Sequence, residues 1–321
     1  MSKNILFTHT DLDGVGCVVL AKLFFKDDIE IVYCKNPQEC SEKILEVFEE
    51  TKFKDYSQIF VTDMSFNESI LEDKKLYKIL KNRCRIFDHH ATAYGLRDKL
   101  PLAVIMEQDK NGKNMSGTYL FHEYLISKGM AARSFFVELI RSYDTWDWSK
   151  GSSQLANYLN ILLFGKGRRF FVDSFVAKLE RKDINELNIF SQYERDILEF
   201  EIDRNERDIQ KNLSNVMKIK TDSYTIGLVN MTTGDYSALG NRICEVFDVD
   251  IACMFDVTTG RLSLRTTRED INLGQLLTSS DFVGGGHYSS AGGNLGKEFA
   301  ETIANEIVEK LVGEKVKENL N

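Results

Sequence analysis

The chain has 321 residues, which exceeds the size of most single hydrophobic cores, so two domains are expected. A hydrophobic fraction of 43% is too high for an intrinsically disordered chain. The net charge of −8 argues against a general binder of long duplex nucleic acid, because such proteins usually carry an excess of basic residues. An acidic chain still suits a short nucleotide substrate and clustered carboxylates that hold divalent cations.

The sequence indicates neither a membrane span nor a secretory leader. No apolar run approaches the roughly 20 residues that cross a bilayer. The N-terminus leads directly into the apolar residues Ile5, Leu6 and Phe7, without the features of a signal peptide. The six cysteines are scattered and never form CxxC, which argues against a zinc knuckle and a disulfide framework. We therefore expect a cytoplasmic protein with no membrane partner.

The first ninety residues alternate between short apolar strands and helices. Strands are predicted over 4–8, 29–34, 58–62 and 84–87, and helices over 12–25, 41–50 and 68–81. This alternation is typical of crossover connections, so an α/β domain with a mostly parallel sheet flanked by helices is expected. Ligands of open α/β sheets bind beyond the carboxyl ends of the strands. The polar clusters that follow the strands should therefore meet at one edge.

The later chain is first helical and then alternates again. The prediction comprises helices over 117–127, 132–143, 187–213, 239–247 and 297–312, strands over 224–230, 251–256 and 261–266, and a glycine-rich loop over 284–287. We interpret 1–167 as a catalytic α/β domain, 168–216 as a helical connector and 217–321 as a smaller C-terminal α/β domain. The alternative for the charged connector 168–216 is a surface helix of one large domain.

The first chemical cluster is His-Thr-Asp-Leu-Asp-Gly at 9–14, which follows a strand and opens a helix. His9, Asp11 and Asp13 occupy alternate positions, which point to one side of an extended turn. Gly14 and Gly16 would allow close backbone approach to a ligand. The alternative is helix capping by Asp11 or Asp13, although capping requires one Asp and no His.

Two further clusters follow later strands. Asp63 comes directly after the third strand, where a lone Asp is usually a turn residue. Asp88, His89 and His90 follow the fourth strand, and a chance surface pair of histidines is the alternative there. Only five histidines occur in the chain, and two of them are adjacent at this predicted sheet edge, which favours metal ligands.

Imidazole and carboxylate groups without a thiolate favour Mn²⁺ or Mg²⁺ over structural Zn²⁺. Two such ions about 3.5–4 Å apart, bridged by one carboxylate, form the usual two-metal clamp. The clamp would activate a water for attack on phosphorus and neutralise charge on the phosphoryl oxygens. The residues thus predict a two-metal phosphodiesterase.

The ordered set of motifs resembles the DHH phosphoesterase superfamily, which includes RecJ-like nucleases. The set consists of His-x-Asp-x-Asp-Gly, a strand-ending Asp, Asp-His-His, a later Asp and a distal Gly-Gly-Gly-His, and it spans almost the whole chain. The later motifs resemble the superfamily's associated C-terminal substrate-binding domain. The spacing His-x-Asp-x-Asp is shorter than in its cyclic-dinucleotide phosphodiesterases, phosphoadenosine-phosphate phosphatases and family II pyrophosphatases. It is similar to that of nanoRNase B-type oligoribonucleases.

The resemblance implies a role for each residue of the metal site. Asp63 would bridge the two ions, Asp88 would orient the histidines, and His90 would lie by the phosphate or leaving group. Asp144 lies in Arg-Ser-Tyr-Asp-Thr-Trp at 141–146, which resembles the superfamily's fourth motif, and Asp147 is the competing choice. The implied ligands are His9, Asp11 and Asp63 for one ion, and Asp13, Asp63, His89 and Asp144 for the other.

The resemblance also implies a substrate-binding set in the C-terminal part. Gly284, Gly285, Gly286 and His287 would form a nucleotide-holding loop whose N–H groups cradle phosphate. Arg265 would face the phosphate from a strand. A glycine-rich turn and an exposed strand arginine are the alternatives, and the tail after His287 differs slightly from the superfamily's usual one.

Weaker signals lie between the two parts. Trp146 and Trp148 could stack on a base, although packing in the core is the ordinary alternative. The basic cluster Lys-Gly-Arg-Arg at 166–169 could touch a second phosphate or simply be a solvated helix start.

The resulting hypothesis is an exoribonuclease that uses two divalent cations, Mn²⁺ ahead of Mg²⁺, and degrades very short RNA to nucleoside monophosphates. One alternative is a phosphodiesterase or phosphatase of cyclic or linear dinucleotides or phosphoadenosine phosphate. Another is a non-catalytic nucleotide-binding scaffold, which would be expected to have lost metal ligands. The sequence is compatible with a homodimer.

Overall fold

The computed structural model describes residues 3–50, 53, 55–151, 153–181, 184–232, 234–280, 283–294 and 296–312. Contacts divide the chain into two units, Met1–Glu201 and Ile202–Asn321. The predicted boundaries at 167/168 and 216/217 stay predictions. Among the described residues, no helix combines the length and the apolar character that a bilayer span requires.

The first unit contains a five-stranded sheet in the order β2-β1-β3-β4-β5, in which every pair is parallel. Its strands are β1 (Lys3–Thr8), β2 (Ile29–Tyr33), β3 (Tyr56–Thr62), β4 (Cys84–Asp88) and β5 (Val104–Ile105). The connecting helices are α1 (Leu12–Phe25), α2 (Pro37–Glu49), α3 (Lys74–Arg83) and α4 (Tyr94–Lys99). The predicted parallel α/β sheet is confirmed, and β5 and α4 were not predicted.

Five helices complete the helical part that follows the sheet. They are α5 (Gly117–Ser127), α6 (Ser134–Asp144), α7 (Leu155–Lys166), α8 (Arg168–Glu180) and α9 (Gln192–Leu213), and the division between the units falls within α9. The predicted start of the long helix at 187 is wrong. Ser191 and Glu194 form a reciprocal capping box, in which Ser191 N donates to Glu194 Oε2 at 2.7 Å and Glu194 N to Ser191 Oγ at 3.3 Å. The helix therefore begins one residue after Ser191.

The predicted single helix over 68–81 is also wrong. A short 3₁₀ turn, Glu68–Glu72, precedes α3 as a separate element. Asp73 separates them, because its carboxylate accepts from Lys75 N and Leu76 N at 2.8 and 2.9 Å and so caps α3.

The parallel sheet is buried on both faces, as such sheets usually are. Ile5, Phe7 and Val61 belong to a core shared with α2, α3 and α4. On the opposite face, Phe60 contacts Phe121 of α5 with ring centroids 5.5 Å apart, and α5 packs against α1. Since α1 and α2 lie on opposite faces, the connections diverge between β1 and β3. Such a switch point opens a crevice at the carboxyl edge of the sheet.

The second unit contains a mixed six-stranded sheet in the order β10-β11-β9-β8-β7-β6, in which only β7 and β8 are parallel. Its strands are β6 (Met217–Lys220), β7 (Thr225–Asn230), β8 (Ile251–Asp256), β9 (Arg261–Arg265), β10 (Val283–Gly286) and β11 (Ser290–Asn294). Its helices are α10 (Tyr236–Phe247), α11 (Leu273–Thr278) and α12 (Lys297–Val312). The predicted second α/β part is therefore confirmed in class.

The predicted glycine-rich loop is wrong, because Gly284–Gly286 belong to β10 and pair antiparallel with Ala291–Gly293 of β11. A Cβ atom on Gly284 would lie 2.2 Å from Gly292 O, and one on Gly286 would lie 2.4 Å from Ala291 Cα. The glycines thus allow two backbones to approach closely, while their low strand propensity hides the strand in the sequence. His287 starts the turn after β10, where its N–H donates to Ser290 O at 2.7 Å.

Asp250 ties the start of β8 to its neighbours. Its carboxylate accepts from the N–H and hydroxyl of Thr225, both at 2.7 Å, and from Arg268 at 2.5 Å. The Thr225 hydrogen bonds and the Arg268 contact lower the pKa of Asp250 to about 2. Because an unfolded Asp titrates near about 3.9, the ionised carboxylate stabilises the fold above that pH. This stabilisation is lost as the pH falls towards 2.

We expect Asp250→Asn to lower the free energy of unfolding at pH 7 by about 1 kcal/mol, through the loss of charge-assisted hydrogen bonds. The difference from wild type should shrink between pH 4 and pH 2, where Asp250 becomes protonated. Thermal unfolding of both proteins at several pH values measures this. A difference in unfolding temperature that is constant from pH 7 to pH 2 would contradict the assignment.

Candidate metal centre

The strands β1 and β3 end side by side at the carboxyl edge of the first sheet. Thr8 and Thr62 are partners in register, and the Thr62 hydroxyl donates to the Thr8 hydroxyl at 2.8 Å. Thr8 Oγ1 in turn lies 3.1 Å from Gly14 O, at the start of α1. These fully buried contacts hold the chain segments that carry His9 and Asp63 at the same level.

His9, Asp11 and Asp63 form the first group of candidate ligands, with one ligand atom from each lying within 4.8 Å of the others. His9 Nδ1 lies 2.7 Å from Asp11 Oδ2 and 3.6 Å from Asp63 Oδ2. The other Asp11 oxygen, Oδ1, accepts from Gly14 N at 3.1 Å and caps α1. Because a carboxylate has two oxygens, Asp11 can cap α1 with one oxygen and belong to the ligand group with the other.

Asp13, His89 and Asp144 form the second group by the same distance criterion. His89 Nε2 lies 3.3 Å from Asp144 Oδ2 and 3.4 Å from Asp63 Oδ1. The two oxygens of Asp63 thus face different groups, Oδ2 towards His9 and Oδ1 towards His89. This is the placement that a bridging carboxylate requires.

Asp13 is held by the start of α5, a contact that the sequence analysis did not identify. Gly117 N and Thr118 N donate to its two carboxylate oxygens at 2.6 and 3.0 Å. Ser116 caps the same helix through Tyr119 N at 3.3 Å. A Ser-Gly pair before an apolar helical stretch indicates the start of α5 in the sequence. No local pattern indicates that Asp13 contacts this helix start.

Asp63 has a left-handed backbone with a φ of 53°, a conformation that Asp and Asn adopt more readily than other side chains. Gly117 lies directly against it. A Cβ atom on Gly117 would lie 2.6 Å from both Cα and N of Asp63. Strained backbone of this kind is concentrated at functional sites.

The glycines of the first motif lie tightly against other parts of the chain. A Cβ atom on Gly14 would lie 2.4 Å from the carbonyl oxygen of His9, and one on Gly16 would lie 2.6 Å from atoms of Thr118 and Ile140. Both glycines therefore make room for the chain itself, and their closeness to a ligand stays a prediction.

Asp88 is fully buried and organises the two histidines that follow it. Its Oδ1 accepts from His89 N at 2.8 Å and from His90 N at 3.2 Å, and it lies 2.7 Å from His90 Nδ1. His90 also offers a ring nitrogen to a group with Asp63 and His89. Asp88 thus fixes the His90 ring beside the cluster without belonging to it.

Asp147, the competing choice for the fourth motif, lies outside these ligand groups. Its carboxylate pairs with Arg141 Nη1 at 2.8 Å. Trp146 has a left-handed backbone with a φ of 63°, and its ring meets Trp148 edge-on at 5.1 Å, while Trp148 stacks on Tyr143. These contacts describe a small aromatic cluster after α6.

The cluster carries more negative charge than its surroundings neutralise. Burial, together with Asp11 and Asp13, raises the pKa of Asp63 well above its ordinary value. Burial also raises the pKa of Asp144 to about 7, against the effect of His89. Burial disfavours protonation of His9, but the nearby carboxylates of Asp11 and Asp63 prevail and raise its pKa to about 11. The nearby positive charge is therefore too small to neutralise the carboxylates of the cluster.

Three buried atoms of the cluster lack a hydrogen-bond partner within the part of the chain that is described: Asp63 Oδ2, His89 Nε2 and Asp144 Oδ2. Buried polar atoms are normally paired, so such orphans require an explanation. Divalent cations would satisfy all three atoms and the excess negative charge. Nitrogen and oxygen donors without sulfur fit Mn²⁺ or Mg²⁺.

The predicted substrate-binding residues lie in the second unit. Arg265 is half-buried, and its guanidinium donates to Ser237 Oγ at 2.8 Å, to Ser263 Oγ at 3.1 Å and to Leu264 O at 2.7 Å. His287 is exposed at the turn between β10 and β11. Their binding role stays a prediction.

Comparison with known proteins gives relatives in both sequence and structure, although no protein-family model matches the chain. The oligoribonuclease NrnB of Bacillus subtilis (strain 168) is 30% identical over 311 residues, which cover 94% of this chain and 75% of the relative. A solved DHH domain, from a protein assigned to a family of ribosomal proteins, has a TM-score of 0.63 at 13% identity, covering 98% of this chain and 87% of that one. RecJ of Thermus thermophilus, in complex with Mn²⁺, has a TM-score of 0.59 at 12% identity, covering 99% of this chain and 54% of RecJ.

The parallel sheet with its histidine and aspartate cluster has the fold of the solved DHH domain and of RecJ, and the 30% identity to NrnB over most of the chain adds a relative in sequence, so the chain is a DHH superfamily protein. Within that superfamily, its similarity to the Bacillus enzyme shows that the chain belongs to the family of the oligoribonuclease NrnB. The resemblance found in the sequence motifs is confirmed.

Proposed function

We propose that this protein is a metal-dependent phosphodiesterase that degrades very short RNA to nucleoside monophosphates from one end. Membership of the NrnB family supports hydrolysis of phosphoester bonds in short RNA. The observation that carries the proposal is the placement of Asp63, whose two oxygens face two separate groups of candidate ligands. The cytoplasmic location and the homodimer stay predictions.

In this proposal each of the two groups of ligands would hold one divalent cation, and Asp63 would contribute to both. When bound, the cations would supply an activated water and would stabilise charge on the phosphoryl oxygens. RecJ, which is similar in fold, has been solved with Mn²⁺ and, in a further structure, with Mg²⁺, so the proposal includes both ions and places Mn²⁺ first. The proposed ligands are His9, Asp11 and Asp63 for one ion, and Asp13, Asp63, His89 and Asp144 for the other.

The remaining residues would position the metal ligands or the substrate. Asp88 accepts a hydrogen bond from His90 Nδ1, and the opposite ring nitrogen would face the phosphate or the leaving oxygen. The N–H groups of Gly117 and Thr118 fix the carboxylate of Asp13 and so preserve the geometry of the second group. We propose that Arg265, His287 and the strand Gly284–Gly286, all in the second unit, are substrate-binding residues.

The test is a substrate panel for the purified protein with Mn²⁺, and separately with Mg²⁺. The panel contains di- to pentaribonucleotides, DNA of the same lengths, cyclic dinucleotides and phosphoadenosine phosphate. We expect nucleoside monophosphates as products and the highest kcat/KM for short RNA, measured by chromatography of the products.

Other results would support the alternatives. Intact oligoribonucleotides together with hydrolysis of cyclic dinucleotides or phosphoadenosine phosphate would contradict the proposed substrate. Binding of nucleotides without any turnover, in protein loaded with metal, would indicate the scaffold.

A further inference from the structure

A basic surface lies at the carboxyl edge of the first sheet, beyond β2. It consists of Lys35, Lys166, Arg168 and Arg169, whose side chains are all exposed, and is called the basic flank below. The acidic cluster lies beyond β1, β3 and β4 at the same edge. Opposite charges therefore occupy neighbouring parts of one edge in a chain whose net charge is −8.

The helices α1 and α8 fix the position of the basic flank. They pack together, have 14 and 13 residues, and are joined at their ends by Lys26 Nζ and Glu180 Oε1, 2.6 Å apart. Lys26 follows the last residue of α1, and Glu180 is the last residue of α8. The two helices thus run in the same direction, and both start at the carboxyl edge. Packed helix axes lie about 8–10 Å apart, so the start of α8 is a near neighbour of the start of α1.

The contact between Arg168 and Tyr33 gives the same position independently. The guanidinium carbon of Arg168 lies 4.4 Å from the centroid of the Tyr33 ring. Tyr33 ends β2 and is the register partner of Thr8, the residue before His9. The Arg168 side chain therefore lies against the end of β2, the strand next to the one that leads into the metal-ligand motif.

The side chains of the basic flank have few ion-pair partners among the described residues, and the carboxylate near Lys35, that of Glu39, accepts from the Lys35 backbone N–H at 2.6 Å. Over the described residues, no carboxylate forms an ion pair with Lys35, Lys166 or Arg168, and Arg169 reaches Asp173 only at 3.9 Å. The first turn of α8 contains two arginines and no acidic residue, the opposite of what the helix dipole favours. This arrangement lowers helix stability, and an anion bound at the flank would offset that cost.

We propose that the basic flank, with Arg168 as its principal residue, binds the phosphate next to the scissile one in a short RNA chain. The inference rests on the proposed function. A second phosphate cannot enter the carboxylate cluster without repulsion, so it requires a cationic partner outside that cluster. The contact with the Tyr33 ring restrains the Arg168 guanidinium, whose N–H groups match the oxygens of a phosphate. The basic flank then makes cleavage depend on the number of phosphates in the substrate.

The test compares two substrates for wild type and Arg168→Gln with Mn²⁺. A dinucleoside monophosphate has one phosphodiester and no flanking phosphate, whereas a trinucleoside diphosphate has one flanking phosphate. We expect Arg168→Gln to lower kcat/KM about tenfold for the trinucleoside diphosphate, through a higher KM, and to change that for the dinucleoside monophosphate by less than about twofold. Arg168→Lys should recover part of the loss, since it restores charge without the planar fork.

The matched control is Arg181→Gln, which removes the same charge just after the opposite end of α8, about 20 Å away. Both substrates should be cleaved by this variant as by wild type. An equal loss for both substrates in Arg168→Gln, or no loss for either, overturns the inference while leaving the proposed function intact. If wild type cleaves neither substrate, the proposed function fails and the inference fails with it. Thermal unfolding of each variant establishes that it is folded.

Discussion

Asp63→Asn is expected to reduce turnover of short RNA by on the order of 10³-fold or more and to abolish tight Mn²⁺ binding in a chain that remains folded. The reason is the position of its carboxylate, with Oδ2 towards His9 and Oδ1 towards His89. An amide offers one neutral oxygen and cannot serve both groups as a charged bridge. Asn tolerates the left-handed φ of 53°, so the change removes charge with little backbone strain. Activity assays and calorimetric titration with Mn²⁺ measure the two effects.

Asp248→Asn is the matched control, because Asp248 is exposed, has a φ of 49°, and lies in the second unit. Stability, Mn²⁺ binding and activity should all stay at wild-type levels in this variant. Asp63→Ala should lose activity as well, with an additional cost of about 1 kcal/mol from the left-handed backbone. Retained activity in Asp63→Asn would refute the proposed site.

Thermal unfolding gives a readout of Asp63 that does not depend on turnover. Without metal, Asp63→Asn should unfold at the same temperature as wild type or higher, because it removes a carboxylate from a cluster with excess negative charge. Mn²⁺ should stabilise wild type by about 2.7 kcal/mol at 100 times its Kd, and should leave the variant nearly unchanged. A merely structural role for Asp63 would give the opposite result, a less stable variant that still responds to Mn²⁺.

The parallel sheet of the first unit was predictable because its strands are short apolar runs separated by helical segments. Once strands are parallel, their carboxyl ends must lie at one edge, so His9, Asp63 and Asp88 could be expected together from the sequence. The structure brings the eight predicted residues of the metal site to one region, seven of them in the three ligand groups and Asp88 beside them.

Other features depend on contacts that no local pattern records. The chain positions of Asp13 and Gly117 are far apart, and only packing of α5 against α1 brings the Gly117 N–H to the Asp13 carboxylate. Similarly, Gly284–Gly286 lack side chains that would indicate a strand, and pairing with β11 overrides their propensity. Local signals did exist for two missed helix boundaries, in the caps formed by Asp73 and by Ser191 with Glu194.

Gly117→Ala is expected to impair activity at least as strongly as it impairs stability, although residue 117 is not a candidate ligand. The added Cβ atom would overlap the Asp63 backbone, with 2.6 Å separating it from both Cα and N. Backbone cannot rotate away as a flexible side chain can, so either α5 or the Asp63 segment must shift. We expect a loss of about 1–3 kcal/mol in the free energy of unfolding, as for other overpacked sites. The same shift would move Asp13, which the Gly117 and Thr118 N–H groups hold, relative to Asp63.

The measurements are thermal unfolding, Mn²⁺ titration and cleavage of short RNA, each beside Gly151→Ala. Gly151 belongs to the same unit, has a φ of −102°, and a Cβ atom there would meet only Trp148 O, at 3.6 Å. This control should bind Mn²⁺ and cleave RNA normally. A folded Gly117→Ala protein should bind Mn²⁺ more weakly than wild type, because the displaced Asp63 carboxylate would no longer face both groups of ligands. Wild-type affinity for Mn²⁺ in that variant would show that the close contact between Gly117 and Asp63 is dispensable for metal binding. The helix α5 would then contribute to the fold and not to the site.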